Sequence, residues 1–167
     1  MGMESSLEWV RRAGDYRVLV GKRDRLDFPL SESEQARLAE LERFFVQDAN
    51  RRRMPWATRE QIRAAISIIV QFDEAVGRAQ DISPDGMYVV TTAPLYIGAR
   101  TVIRVNEAPY VERVGDDEDE TPYEQWRFGA EVVRLDAAGM GVRFVGIPLA
   151  LRIVHMRPAE RPIQHAA

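Results

Sequence analysis

The chain has 167 residues, 46% of them hydrophobic and 29% charged, with a formal net charge of −3. This length allows a substantial core, and the slight acidity argues against a broad nucleic-acid or anionic-membrane surface. There is no cysteine, which excludes disulfides, thiolate metal sites and a cysteine nucleophile.

The first residues, Met1 to Ser6, have neither the basic nor the apolar region of an export signal. No apolar run approaches the roughly 18 residues of a membrane span. The sequence therefore reads as a cytoplasmic protein without membrane insertion. Of the 23 basic residues only Lys22 is a lysine, a bias uniform enough to read as compositional.

Residues 1–50 read as an amino-terminal extension. Within it, Asp15-Tyr16-Arg17-Val18-Leu19-Val20 alternates weakly and predicts a short strand. Ser31, with Glu34 three residues later, forms a capping-box pattern that predicts a helix from about residue 32 to 46. Leu38, Leu41 and Phe45 share one face of that helix, with Phe44 beside them. This stripe needs a cover, either the body of the same chain or a second subunit in a homodimer.

Residues 51–157 read as a β-rich body, with 158–167 a polar tail. Ile66, Ile68, Val70 and Phe72 alternate as in a half-buried strand, and Asp73 to Gly77 reads as a turn. Further strands are predicted at Met87–Thr92, Arg100–Val105, Trp126–Val132, around Val142 and Phe144, and at Leu149–Ile153. Asp136-Ala137-Ala138-Gly139 reads as a turn. Short, evenly spaced strands of this kind predict an antiparallel barrel or sandwich. The acid run Asp116 to Glu120 lacks the alternate ligand spacing of a calcium loop and reads as a solvated loop. Trp9 and Trp126 read as packing residues, with a partner surface the alternative for Trp9.

His155 and His165 are the two histidines, and neither has a catalytic or metal-binding constellation around it. The sequence predicts a non-enzyme without metal or cofactor.

Two features carry chemistry. Asp81-Ile82-Ser83-Pro84-Asp85-Gly86 supplies a carboxylate, a hydroxyl and an unobstructed backbone within six residues, and Arg51-Arg52-Arg53 lies upstream. Taken singly they read as a Pro-Asp-Gly turn and a solvated linker. Together and in this order they resemble the PilZ domain family, in which an R-x-x-x-R linker precedes a D/N-x-S-x-x-G motif on a six-stranded barrel. Asp81, Ser83 and Gly86 match the second motif. Gly86 to Gly98 resembles the strand and turn that follow it, and Ala138 to Phe144 resembles the closing strand. The similarity covers about Arg51 to Ile147.

The resemblance implies a mainly β fold, a six-stranded antiparallel PilZ-like barrel with an N-terminal helical extension, and a cyclic di-GMP ligand. It implies that Asp81 and Ser83 meet a guanine edge and that Gly86 lets the backbone pass close to the base. The linker arginines Arg51, Arg52 and Arg53 then grip phosphates, and binding orders the linker and re-aims the extension toward a protein partner, for example in motility control. The chain departs from the pattern where Trp56 stands at the second arginine position. The linker pair with R-x-x-x-R spacing is instead Arg59 and Arg63. Loss of one bidentate contact removes about 1.5–3 kcal/mol, so the alternative is an adaptor of the same fold that works by protein contact without the nucleotide.

Overall fold

The computed structural model describes residues 3–51, 63–107 and 123–153. Arg52, Arg53, Trp56, Arg59, the acid run 116–120, His155, His165 and the tail 158–167 lie outside the described residues.

Two helices open the chain, α1 (Met3–Asp24) and α2 (Glu32–Arg51). The strand expected over residues 15–20 is corrected: these residues belong to α1. Leu7, Val10, Ala13, Tyr16 and Leu19 are all buried, a spacing of three that suits a helix covered on more than one side and not the period of two of a strand. Within a six-residue window that stripe passes for alternation. Gly14 sits in the middle of α1, where glycine costs about 0.5–1 kcal/mol relative to alanine. A Cβ there would come within 2.4 Å of the Trp126 ring, so the missing side chain lets the helix backbone lie on the indole.

The α2 start follows its capping box. The Ser31 N–H donates to Glu34 Oε2 at 2.8 Å, and the Glu34 N–H donates to Ser31 Oγ at 3.2 Å. The stripe on α2 is covered by α1 of the same chain. Trp9 packs on Phe44 with ring centroids 4.9 Å apart, and Tyr16 meets Phe45 edge-on at 5.4 Å. Around this seam Lys22 pairs with Glu34 at 2.7 Å and Arg37 with Asp15 at 2.9 Å. Trp9 and Trp126 are both packing residues, as expected.

Seven antiparallel strands follow: β1 (Ala64–Phe72), β2 (Ala75–Ser83), β3 (Gly86–Val90), β4 (Arg100–Asn106), β5 (Tyr123–Leu135), β6 (Gly139–Phe144) and β7 (Leu149–Ile153). The order β4-β1-β2-β3-β6-β5 closes through the β4–β5 pairing into a six-stranded barrel. β7 lies outside this ring, paired with the first residues of β5. The fold is thus the expected mainly β, six-stranded antiparallel barrel with a helical amino-terminal segment.

The six strands of the ring are not the six expected. The turn assigned to Asp73–Gly77 shrinks to Asp73-Glu74, with Asp73 at φ 48°, and the rest of that segment enters β2. The strand escaped notice because its buried positions include Gly77, Ala79 and Ser83, which carry little of the β-branched or aromatic character that marks strands. The sixth expected strand, 149–153, is the extra β7. Inside the barrel, Val70, Phe72, Ile103, Phe128 and Met140 are essentially inaccessible. Their cluster is continuous with Val10, Ala13 and Tyr16 of α1.

Candidate ligand turn and its rim

Asp81 and Ser83 end β2, and Gly86 begins β3. Along β2, Gly77 and Ala79 face the core, so strict alternation would turn residue 81 inward. A register shift between Ala79 and Asp81 interrupts the β2–β3 ladder, and Ile82 takes the core position instead. Bulges next to sites commonly re-aim a side chain. Here the bulge brings the Asp81 carboxylate to the rim, where it is partly exposed.

At the rim, Asp81 Oδ1 accepts the Tyr88 N–H at 3.1 Å and is paired with the Arg63 guanidinium. Of the expected arginines, Arg63 is the one that the described structure brings to the turn. Arg51 closes α2, while Arg52, Arg53 and Arg59 lie outside the described residues.

Ser83 is buried, and its hydroxyl serves the turn itself. Ser83 Oγ accepts the N–H groups of Asp85 at 3.2 Å and Gly86 at 3.1 Å, and donates to the Gly86 carbonyl at 3.4 Å. A side chain that closes its own turn in this way competes with any ligand for the hydroxyl. Gly86 also has a reason internal to the fold. A Cβ there would lie 2.1 Å from the Val142 carbonyl oxygen on β6, so the β3–β6 approach demands glycine.

Two further groups frame the turn. Tyr88 stands opposite Asp81 in the ladder and donates its hydroxyl proton to Asp136 at 2.6 Å, with the Arg134 guanidinium 5.4 Å from its ring centroid. That hydrogen bond raises the Tyr88 pKa above the ordinary tyrosine value and lowers that of Asp136 below the ordinary carboxylate value. Asp136 also caps the expected turn, accepting from Ala138 and Gly139.

From the other side, Arg17 of α1 donates to three carbonyls: Pro84 at 3.2 Å, Phe144 at 3.4 Å and Gly146 at 2.7 Å. Burial, and then the nearby Arg25, pull the Arg17 pKa below the ordinary arginine value, with Asp85 acting in the opposite sense. The Asp85 carbonyl accepts the Phe144 N–H at 2.7 Å. The turn is therefore held by β6 and by α1 together.

Sequence reasoning identified Asp81, Ser83 and Gly86 but not Arg17, Tyr88 or Arg134. Tyr88 follows from register once β2 is recognised as a strand, and Arg134 from the pairing of β6 with both β3 and β5. Arg17 binds main-chain carbonyls, which have no signature in side-chain identity. Among the described residues no group of His, Asp or Glu side chains is arranged to hold a metal ion, and no helix is long and apolar enough to cross a membrane. In comparisons with known proteins, neither a family model nor a curated protein matches this chain.

Proposed function

We propose that this chain is a regulatory receptor of the PilZ kind, taking cyclic di-GMP at the rim of its barrel and acting through a protein partner. The observation that carries the reading is the meeting of Arg63 with Asp81 on the outward side of the β2–β3 turn. A carboxylate that accepts from the edge of a guanine and an arginine suited to a phosphate or a base face stand together on a closed barrel. Tyr88 and Arg134 continue this surface with a ring and a second guanidinium. The signalling step is a change in how the arginine linker and α2 sit once phosphates engage them, and motility control is one output of such a switch.

A second reading has its own support. Ser83 is fully engaged within the turn and Gly86 is required by Val142, so two of the three motif residues have purely structural reasons. On that reading the protein is an adaptor with the same barrel and no nucleotide, working by protein contact.

Titration calorimetry with cyclic di-GMP separates the two. Saturable heat in the micromolar range supports the receptor. No heat at high micromolar ligand, with protein whose circular dichroism shows it folded, overturns it in favour of the adaptor.

A further inference from the structure

The barrel closes without β7, and β7 carries an edge of its own. On one side it pairs with Tyr123 to Arg127 of β5 in unbroken register, and among the described residues no strand pairs with its other side. Such an edge offers a row of N–H and C=O groups to any extended chain, and proteins ordinarily blunt it with a proline, a bulge or several charges. β7 has none of these. Its sequence is Leu-Ala-Leu-Arg-Ile, and its one charge, Arg152, stands opposite Glu124 in the ladder.

The side chains point the same way. Leu149, Leu151 and Ile153 share one face of the strand, opposite Arg127, Gln125 and Tyr123 of β5. Leu149 is 57% exposed, and Leu151 and Ile153 are half-buried. Three aliphatic side chains thus line an edge that the barrel core does not use.

The sequence of β7 also decides which strand fits it. Two copies related by a two-fold axis pair their edges antiparallel, each residue facing its counterpart across the axis. With the axis at Leu151, all five residues pair. Leu149 meets Ile153 of the second copy, Ala150 meets Arg152, and Leu151 meets itself. One face then becomes a continuous row of six aliphatic side chains. On the other face each Arg152 lies between its own Glu124 and the small Ala150 of the second copy. The neighbouring registers are worse. An axis at Arg152 opposes two guanidinium groups, and like charges directly opposite are destabilising. An axis at Ala150 pairs only three strand residues and sets Arg152 against Pro148, which has no N–H to give.

We propose that β7 is a self-pairing edge, through which two copies of this chain form an antiparallel dimer with one sheet running across the two-fold axis at Leu151. A seam of five residues per copy is smaller than a standard interface of about 1,600 Å², so the dimer is reversible and depends on concentration. The apolar stripe of α2 takes no part in it, since α1 of the same chain already covers that stripe. Neither Arg63 nor Asp81 lies in the seam, and the dimer does not depend on the nucleotide reading.

The test is sedimentation velocity of the full chain from low to high micromolar concentration, joined to disulfide trapping, for which a chain without cysteine is well suited. The mass should rise toward that of two chains with concentration. Leu149→Glu places a carboxylate beside Arg127 of its own β5 but against Ile153 of the second copy, and should weaken association at least tenfold while leaving the circular dichroism unchanged. Leu151→Cys should give a disulfide-linked dimer under mild oxidation, because directly opposed residues fall within bridging distance. Arg152→Cys should not, because the two copies of residue 152 lie two positions out of register, beyond about 7 Å. A monomer at every concentration overturns the proposal, whatever else then covers the edge. So does a dimer that Leu149→Glu leaves unchanged, or cross-linking as fast at residue 152 as at 151.

Discussion

Arg17 on the first helix donates to the Pro84 carbonyl oxygen at 3.2 Å, joining residues 67 positions apart in the chain. The same guanidinium reaches Phe144 and Gly146, so one side chain fastens α1 to both segments that shape the candidate site. Removing it should loosen the turn as well as the helix. Arg17→Ala is expected to cost about 1.5–3 kcal/mol in urea unfolding and to speed amide exchange at Phe144, whose N–H is bonded to Asp85. Arg17→Lys should rescue little, because an ammonium lacks the planar fork that spans several carbonyls. Unchanged exchange at Phe144 in Arg17→Ala would show that the helix does not steady the turn.

Ser83 and Gly86 predict distinct stability losses that need no ligand. Ser83→Ala leaves the N–H groups of Asp85 and Gly86 without their acceptor, at a cost of about 1–3 kcal/mol. Gly86→Ala drives a Cβ toward the Val142 carbonyl, backbone that has little room to yield, and should cost about 3 kcal/mol or more. Denaturant midpoints measured without nucleotide check both values. Stability equal to that of the parent would remove the structural role assigned to these residues and leave binding as their purpose.

The pair between Arg11 and Glu107, 2.7 Å apart, ties α1 to the end of β4. The hydrogen bond from Arg11 is the main reason that Glu107 titrates below the ordinary glutamate value. A depressed folded pKa means that this stabilisation is present above the unfolded value, about 4.3, and is lost as pH falls through the folded one. Glu107→Gln should therefore flatten the acid limb of the stability curve, with a loss of about 1 kcal/mol near neutrality, the upper range for a pair with one exposed partner. An acid limb identical to the parent's would contradict this assignment.

Tyr88 and Asp136 make a second prediction about pH. The bond to Asp136 favours the protonated phenol, so its stabilisation is present below the unfolded tyrosine value, about 10, and is lost as pH rises through the higher folded one. Phenolate absorbance should give Tyr88, identified by subtraction of a Tyr88→Phe variant, as a late-titrating tyrosine. Asp136→Asn should move it to lower pH. No movement would mean that the bond is not formed in solution.

The sequence disclosed different parts of this structure for different reasons. Ile66 to Phe72 and Trp126 to Val132 are legible because bulky side chains alternate against one core. β2 is not, since Gly77, Ala79 and Ser83 occupy buried positions with small side chains. Residues 15–20 misled because a short window cannot separate a period of two from the edge of a helical stripe. The motif at Asp81, Ser83 and Gly86 was visible as residue types. The bulge that brings Asp81 outward and the carbonyl grip of Arg17 were not, since both depend on backbone geometry and distant pairing.

The central claim is that the rim at Asp81 takes a guanine nucleotide. The Tyr88 amide reports on it directly, because its N–H donates to Asp81 Oδ1 at 3.1 Å. In a titration of the full chain with cyclic di-GMP, the account predicts a saturable shift of the Tyr88 amide signal that follows the calorimetric heat and vanishes in Asp81→Ala. A Tyr88 signal that stays fixed through high micromolar cyclic di-GMP, in protein that is folded, would contradict it.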